Sequence, residues 1–402
     1  MKDIGKKLIL FSVLPFVGFI ESFIRPWSLS SRTIIFLWFV VFGICFTPMN
    51  KEADSWRYEE EFRINSSATD AHFQEQISDY FHNYQSTQTR DIYIVVMTYL
   101  VSRLSTNFHF FFMALAFVFA FFYVKSMKFI VPLPNTRYDQ YVVPILFFLF
   151  CLSNPIFNIN GVRFWTAAWI AVFIVFQVLV NKKYIYLLLA PATILVHASF
   201  VIFVALLGLY FLLGRLDGLW RILFIISLFF AAVSFVPNLY LSSSIPLPIF
   251  LENEVNSYAS DTAIADKQLV FQELPMYAQI LNILPRILIN AIAIVLMLSR
   301  KKINGNEENK RIMRYMIVLL TFVNFTFVIP SVGVRFFKMV FPLIVFLLIK
   351  QPEVTAKYKY MVYLLPFAFV LDIIYWFRHM ADVTSLVDYI APLPYLLVHY
   401  LL

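Results

Sequence analysis

The sequence predicts an all-α fold, a polytopic bundle of transmembrane helices. Two observations carry this. Of 402 residues, 61% are hydrophobic and 14% charged, where a soluble domain has roughly 45–50% and about 25%; mean hydropathy is +0.76. Several apolar runs also reach the roughly 18–20 residues that cross a hydrocarbon core. They do not alternate apolar with polar residues, which excludes a β-barrel. Counting every run gives about 11–13 membrane segments in a single integral membrane domain, 1–402.

The elements follow in chain order. "MKDIGKKLILFSVLPFVGFI" has a basic start and an apolar stretch but no small-residue cleavage site, so it is read as a retained first span, 8–24. Further spans are expected at 33–49, 108–124, 141–158, 164–180, 222–241, 277–299, 315–329, 336–349 and 358–376, with a short closing run at 389–402. Cys45 and Cys151 lie in apolar runs, which speaks against a disulfide framework or a zinc site.

Basic residues in short loops set the orientation. Arg300, Lys301, Lys302, Lys310, Arg311 and Arg314 make 300–314 cytoplasmic, and Lys350, Lys357 and Lys359 mark a second such loop. Lys125, Lys128 and Arg137 mark a third, and Lys182–Lys183 and Arg215 with Arg221 two more. Alternation then places 50–107 and 242–276 outside, and these hold 14 of the 24 acidic residues. The net charge of +8 therefore speaks to topology, not to nucleic acid. The N-terminus falls outside in this scheme, despite Lys2, Lys6 and Lys7.

One run resists a single crossing. Residues 184–213 have basic flanks at both ends, and thirty helical residues span about 45 Å. A re-entrant or broken hairpin turning near Pro191–Ser199 reconciles the two, provided its non-helical backbone is buried in protein or lines a wet cavity.

The candidate chemistry follows from this layout. The tetrapeptide GVRF occurs twice, at 161–164 and 333–336, and both copies fall at the outer face with His197. Arginine stays charged and its planar fork matches phosphate oxygens. Arg163 and Arg335 are therefore candidate pyrophosphate ligands, although an arginine at a helix end also simply snorkels. Arg286 lies deeper, inside "NILPRILIN"; it is either a third such ligand or the partner of an acid such as Asp372. His197, in "LVHASF", suits a general base near neutral pH, and equally a hydrogen-bonded packing role. In "NKEADSWRYEEEFRI", Asp54 is a second candidate base. Trp56 and Tyr58 offer rings to sugar faces, and Asn158 and Asn160 offer amides to hydroxyls. Solvation, capping and turn formation are the competing explanations for this group.

There is no Walker A sequence, GxSxG, HExxH or CxxC, and no acidic run resembling a divalent-cation site. A mechanism without metal or cofactor is the simplest expectation.

Taken in order, these residues resemble a family. Asp54–Ser55–Trp56–Arg57–Tyr58 opens the first outer loop, "GVRFWTAAWI" starts a helix, His197–Ala198–Ser199–Phe200 follows, and "GVRFFKMVF" comes late. This order, over roughly 33–350, resembles the EpsG-like, Wzy-type bacterial polymerases of O-antigen, capsule and exopolysaccharide. The pattern departs in two places: Phe164–Trp165 is bulkier than usual after the first arginine, and Ala53 stands where a glycine often precedes the Asp. The resemblance implies a glycosyltransferase in the bacterial inner (cytoplasmic) membrane, with its site at the periplasmic face. Its donor and acceptor would be undecaprenyl-pyrophosphate-linked oligosaccharides, and membrane lipid and a chain-length regulator would be its other partners. An O-antigen-type ligase and a lipid-linked oligosaccharide flippase are the alternatives. A flippase usually shows broader internal repeats than a four-residue echo.

Overall fold

A computed structural model describes residues 2–82, 92–133, 136, 138–233, 273–303, 305–327 and 329–402. The second expected outer loop, 242–276, lies outside these residues up to 272, as do Arg137 and the end of the 222–241 span.

Every regular element among the described residues is helical. Phe108–Ile130, Val142–Leu179, Met276–Leu298 and Val332–Lys350 are long and apolar enough to cross a membrane. The pair Lys359–Ala368 and Val370–Ala381, bent by 43°, makes a fifth. The chain is a multi-pass helical membrane protein. Among the described residues, five other apolar stretches have 10–17 residues, shorter than a single full span needs. The reason is local. The 8–24 run breaks at Leu14, whose backbone leaves the helical region just before Pro15 at the first position of the next helix, where a missing N–H is tolerated. The 141–180 region breaks at Asn154 and passes through the 3-10 turn Ile156–Gly161 before helix Val162–Leu179.

The 184–213 run does double back. Helix Ala190–Val196 ends at His197, whose backbone is extended, and helix Val201–Leu213 follows a short 3-10 turn. The rings of Tyr184 and Phe211, at opposite ends of the run, lie 6.4 Å apart.

The core is built by close helix contact. Helix Leu29–Cys45 packs on Phe108–Met127 at Gly43, where a Cβ would stand 2.5 Å from the Ala116 side chain and 2.7 Å from the Phe112 carbonyl. Only glycine permits that approach. Buried polar side chains tie other helices. Asn290 and Asn324 exchange amide hydrogen bonds of 3.2 and 2.8 Å, and Asn324 also donates to Ser227.

The bundle has two chemically distinct ends. At one, Arg311 donates to the Leu179 carbonyl at 2.6 Å, Arg314 pairs with Asp217 at 2.7 Å, and Lys359 pairs with Asp139 at 3.3 Å. Lys302 pairs with Glu353 at 2.7 Å. The loops expected on one face by charge therefore gather in space. At the other end lie the described residues of the first loop expected outside: helices Asp54–Asn65, Asp70–His82 and Ile92–Ser102 form a cap, with Tyr99 stacked on Phe73 at 3.9 Å and Arg103 paired with Asp70.

Candidate active site

The cap and the first GVRF copy are built together. Gly161 is the N-cap of helix Val162–Leu179, so Arg163 sits in its first turn. The preceding turn is held by Asn154, which donates to the Trp165 carbonyl at 2.8 Å while its own carbonyl accepts from the Trp169 indole at 3.1 Å. Asn158 donates to the Asn154 side chain at 3.1 Å. Asn160 accepts from the Ser55 N–H at 3.3 Å and so satisfies a donor at the start of helix Asp54–Asn65 that has no partner within the helix.

One turn along that helix is Tyr58, which is buried. Its hydroxyl accepts from Arg163 Nε at 2.7 Å, and the guanidinium lies 5.3 Å from its ring centre. Burial pushes the Tyr58 hydroxyl up, against the pull of Arg163, so it stays neutral. Asp54, Tyr58 and Glu61, at i, i+4 and i+7, share one helical face. Asp54 pairs with Arg57 at 2.7 Å, and Glu61 stands 4.0 Å from the same arginine. Burial raises the Glu61 carboxyl, opposed by Arg57 and Arg163. Trp56 lies beneath Lys51, 5.8 Å from the ammonium.

The second copy lies in helix Pro330–Lys338. The Arg335 guanidinium stands 5.4 Å from the centre of the Phe164 ring, and the rings of Phe164 and Phe336 are 5.6 Å apart. The two copies thus meet through Phe164. His197 packs edge-to-face against the same phenylalanine at 5.4 Å and interacts electrostatically with both arginines. Arg335–Phe336 and His197, far apart in sequence, meet at Phe164, while the adjacent Arg163 turns to Tyr58.

The neutral tautomer of His197 follows from its partners. Nδ1 accepts from the Ser199 N–H at 3.2 Å and lies 2.9 Å from the Ser199 hydroxyl. A backbone N–H only donates, so the proton of the neutral ring is on Nε2. Nδ1 is the basic nitrogen, and it is reached through Ser199.

Arg286 belongs to a different grouping. Its guanidinium stacks on Phe327 at 4.2 Å and lines a cavity of 310 Å³ with Lys338 and Asp372. Asp372, read from sequence as a partner for Arg286, pairs with Lys338 at 2.7 Å. Sequence reasoning did not assign Lys338 or Ser199. A lysine within an apolar helix was the available signal for the first, and the His-x-Ser spacing for the second. Among the described residues, no group of three His, Cys, Asp or Glu side chains is placed to hold a metal ion.

The model described as the EpsG family matches residues 31–396. The chain belongs to that family, a Wzy-like polysaccharide polymerase family. No curated protein and no solved structure matches.

Proposed function

We propose that this EpsG-family protein polymerises lipid-linked repeat units at the outer face of the bacterial inner membrane. The growing glycan leaves undecaprenyl pyrophosphate and joins a hydroxyl of the next lipid-linked unit. The bond from the anomeric carbon to the pyrophosphate oxygen breaks and a glycosidic bond forms. The acceptor hydroxyl loses its proton to a base, and the electron pair of the broken bond departs with the pyrophosphate.

The observation that carries this reading is that Arg335 and His197 meet at Phe164, the residue after Arg163, whose own guanidinium is held by Tyr58. Two guanidinium forks suit the two phosphates of the leaving group. Fixed cations in a site of low dielectric stabilise charge that develops in the transition state. Tyr58 takes the Arg163 Nε and so fixes the plane of that fork. His197 acts as the base at Nδ1, with the Ser199 hydroxyl relaying the proton from the acceptor. Asp54, held by Arg57, is the second choice. Trp56, Asn158 and Asn160 border the same end and contact the sugars. The arginines supply the positive charge that a metal ion would otherwise bring.

The test is to incubate purified protein with undecaprenyl-pyrophosphate-linked repeat units. A ladder of products differing by one repeat is expected, and it should vanish in His197→Ala. A single transfer to another acceptor would instead identify a ligase. Relocation of the lipid without a new glycosidic bond would identify a flippase. A full ladder from His197→Ala would remove that residue as the base.

A further inference from the structure

A polymerase of this kind handles two lipid pyrophosphates at once, a donor and an acceptor. Building on the proposed function, we infer that the cavity at Arg286, Lys338 and Asp372 holds the pyrophosphate head of the second lipid-linked substrate, separately from the centre at Arg163 and Arg335.

The short helix Pro330–Lys338 is the partition. Phe336 packs against Phe164 and Phe200, on the side of His197. Val334, Phe337 and Lys338, at i, i+3 and i+4, line the cavity on another face. That cavity measures 310 Å³ and contains two cations and one carboxylate among apolar walls. Its volume suits a pyrophosphate with its first sugar. Arg286 is braced by the Phe327 ring at 4.2 Å. Lys338 is nearly buried, held by Asp372 at 2.7 Å and ringed by Phe341, Phe369 and Trp376 at 5.4–5.6 Å. An anion entering here would compete with Asp372 for Lys338 and gain Arg286.

The surroundings of the cavity favour a lipid over a soluble anion. The helices flanking the cavity present exposed apolar side chains, Ile280, Ile287, Phe367 and Ile374, which suit acyl or prenyl chains and not water. The cavity wall also includes Ala368 and Phe369, at the 43° break between Lys359–Ala368 and Val370–Ala381. A helix break at membrane depth is tolerated where it lines a cavity.

Native mass spectrometry of the detergent-purified full chain, titrated with geranylgeranyl pyrophosphate, tests this. Two bound lipids are expected in the wild type. Arg286→Gln should lose one and Arg163→Gln the other, so each variant's retained lipid also reports that it is folded. Phosphatidylglycerol at equal concentration should displace neither. A single lipid lost only in Arg163→Gln would overturn the second site and leave the proposed function intact. A single lipid lost only in Arg286→Gln would overturn the arginine clamp instead. Displacement from the Arg286 cavity by phosphatidylglycerol would make its occupant ordinary membrane lipid and overturn the assignment. Binding of no lipid would overturn both.

Discussion

The two GVRF copies are the same four residues put to different use. In the first, Gly161 is the N-cap and Arg163 opens an 18-residue helix. A Cβ at Gly161 would meet only the Trp165 side chain, at an ordinary 3.4 Å. In the second, Gly333 lies inside helix Pro330–Lys338, and a Cβ there would stand 2.8 Å from the Phe327 Cα. That glycine allows the chain to fold sharply back after helix Glu307–Thr326. Arg163 is held by a hydroxyl from the cap, whereas Arg335 lies over a ring from the first copy. The echo is therefore no structural duplication. Two local solutions bring the two copies into contact, through Phe164 with Arg335 and Phe336.

The largest effect should come from the arginines. Replacing either with lysine keeps the charge and loses the fork. Glycan transfer should fall by roughly 100-fold or more, the scale seen when one preorganised transition-state donor is lost. Near wild-type polymer length in Arg163→Lys would break the equivalence of the two copies.

Next, the glycines should separate. Gly333→Ala forces the Phe327 backbone to shift and should destabilise by about 1–3 kcal/mol, as overpacking does. Gly161→Ala should change stability by less than about 1 kcal/mol. Thermal unfolding in detergent checks both, and equal losses would show that the packing contrast is not what distinguishes the copies.

The smallest effect is expected at Tyr58. Tyr58→Phe removes the hydroxyl that takes Arg163 Nε, a bond to a charged group contributing about 1.5 kcal/mol, so turnover should drop roughly tenfold. In an Arg163→Gln background the same change should do almost nothing, because Tyr58 acts through that arginine. A further tenfold loss in that background would give Tyr58 a role of its own.

Much of this was legible in the sequence, for identifiable reasons. Charge inside apolar sequence is rare and conspicuous, so Arg163, Arg286, Arg335 and His197 stood out. The clustering of basic loops followed from their count, and Arg311 on Leu179 with Arg314 on Asp217 agrees with it. The doubling back of 184–213 was required by its flanks, and Tyr184 against Phe211 bears it out. What stayed hidden depends on tertiary contact. Nothing local shows that Asp372 pairs with Lys338, that Asn160 serves helix Asp54–Asn65, or that Phe164 is where two copies and a histidine meet. The break at Leu14 was visible only as Pro15, a residue that starts helices as readily as it ends them.

The proposed function requires Arg163 and Arg335 to act on the same leaving group. A double-mutant cycle on kcat/KM for repeat-unit transfer, using Arg163→Gln, Arg335→Gln and the pair, tests it directly. Residues that act as a unit are strongly non-additive. The double variant should therefore be little worse than the poorer single variant, a coupling above about 1 kcal/mol. Losses that multiply, with no coupling, would show that the arginines serve separate steps and would contradict the shared site.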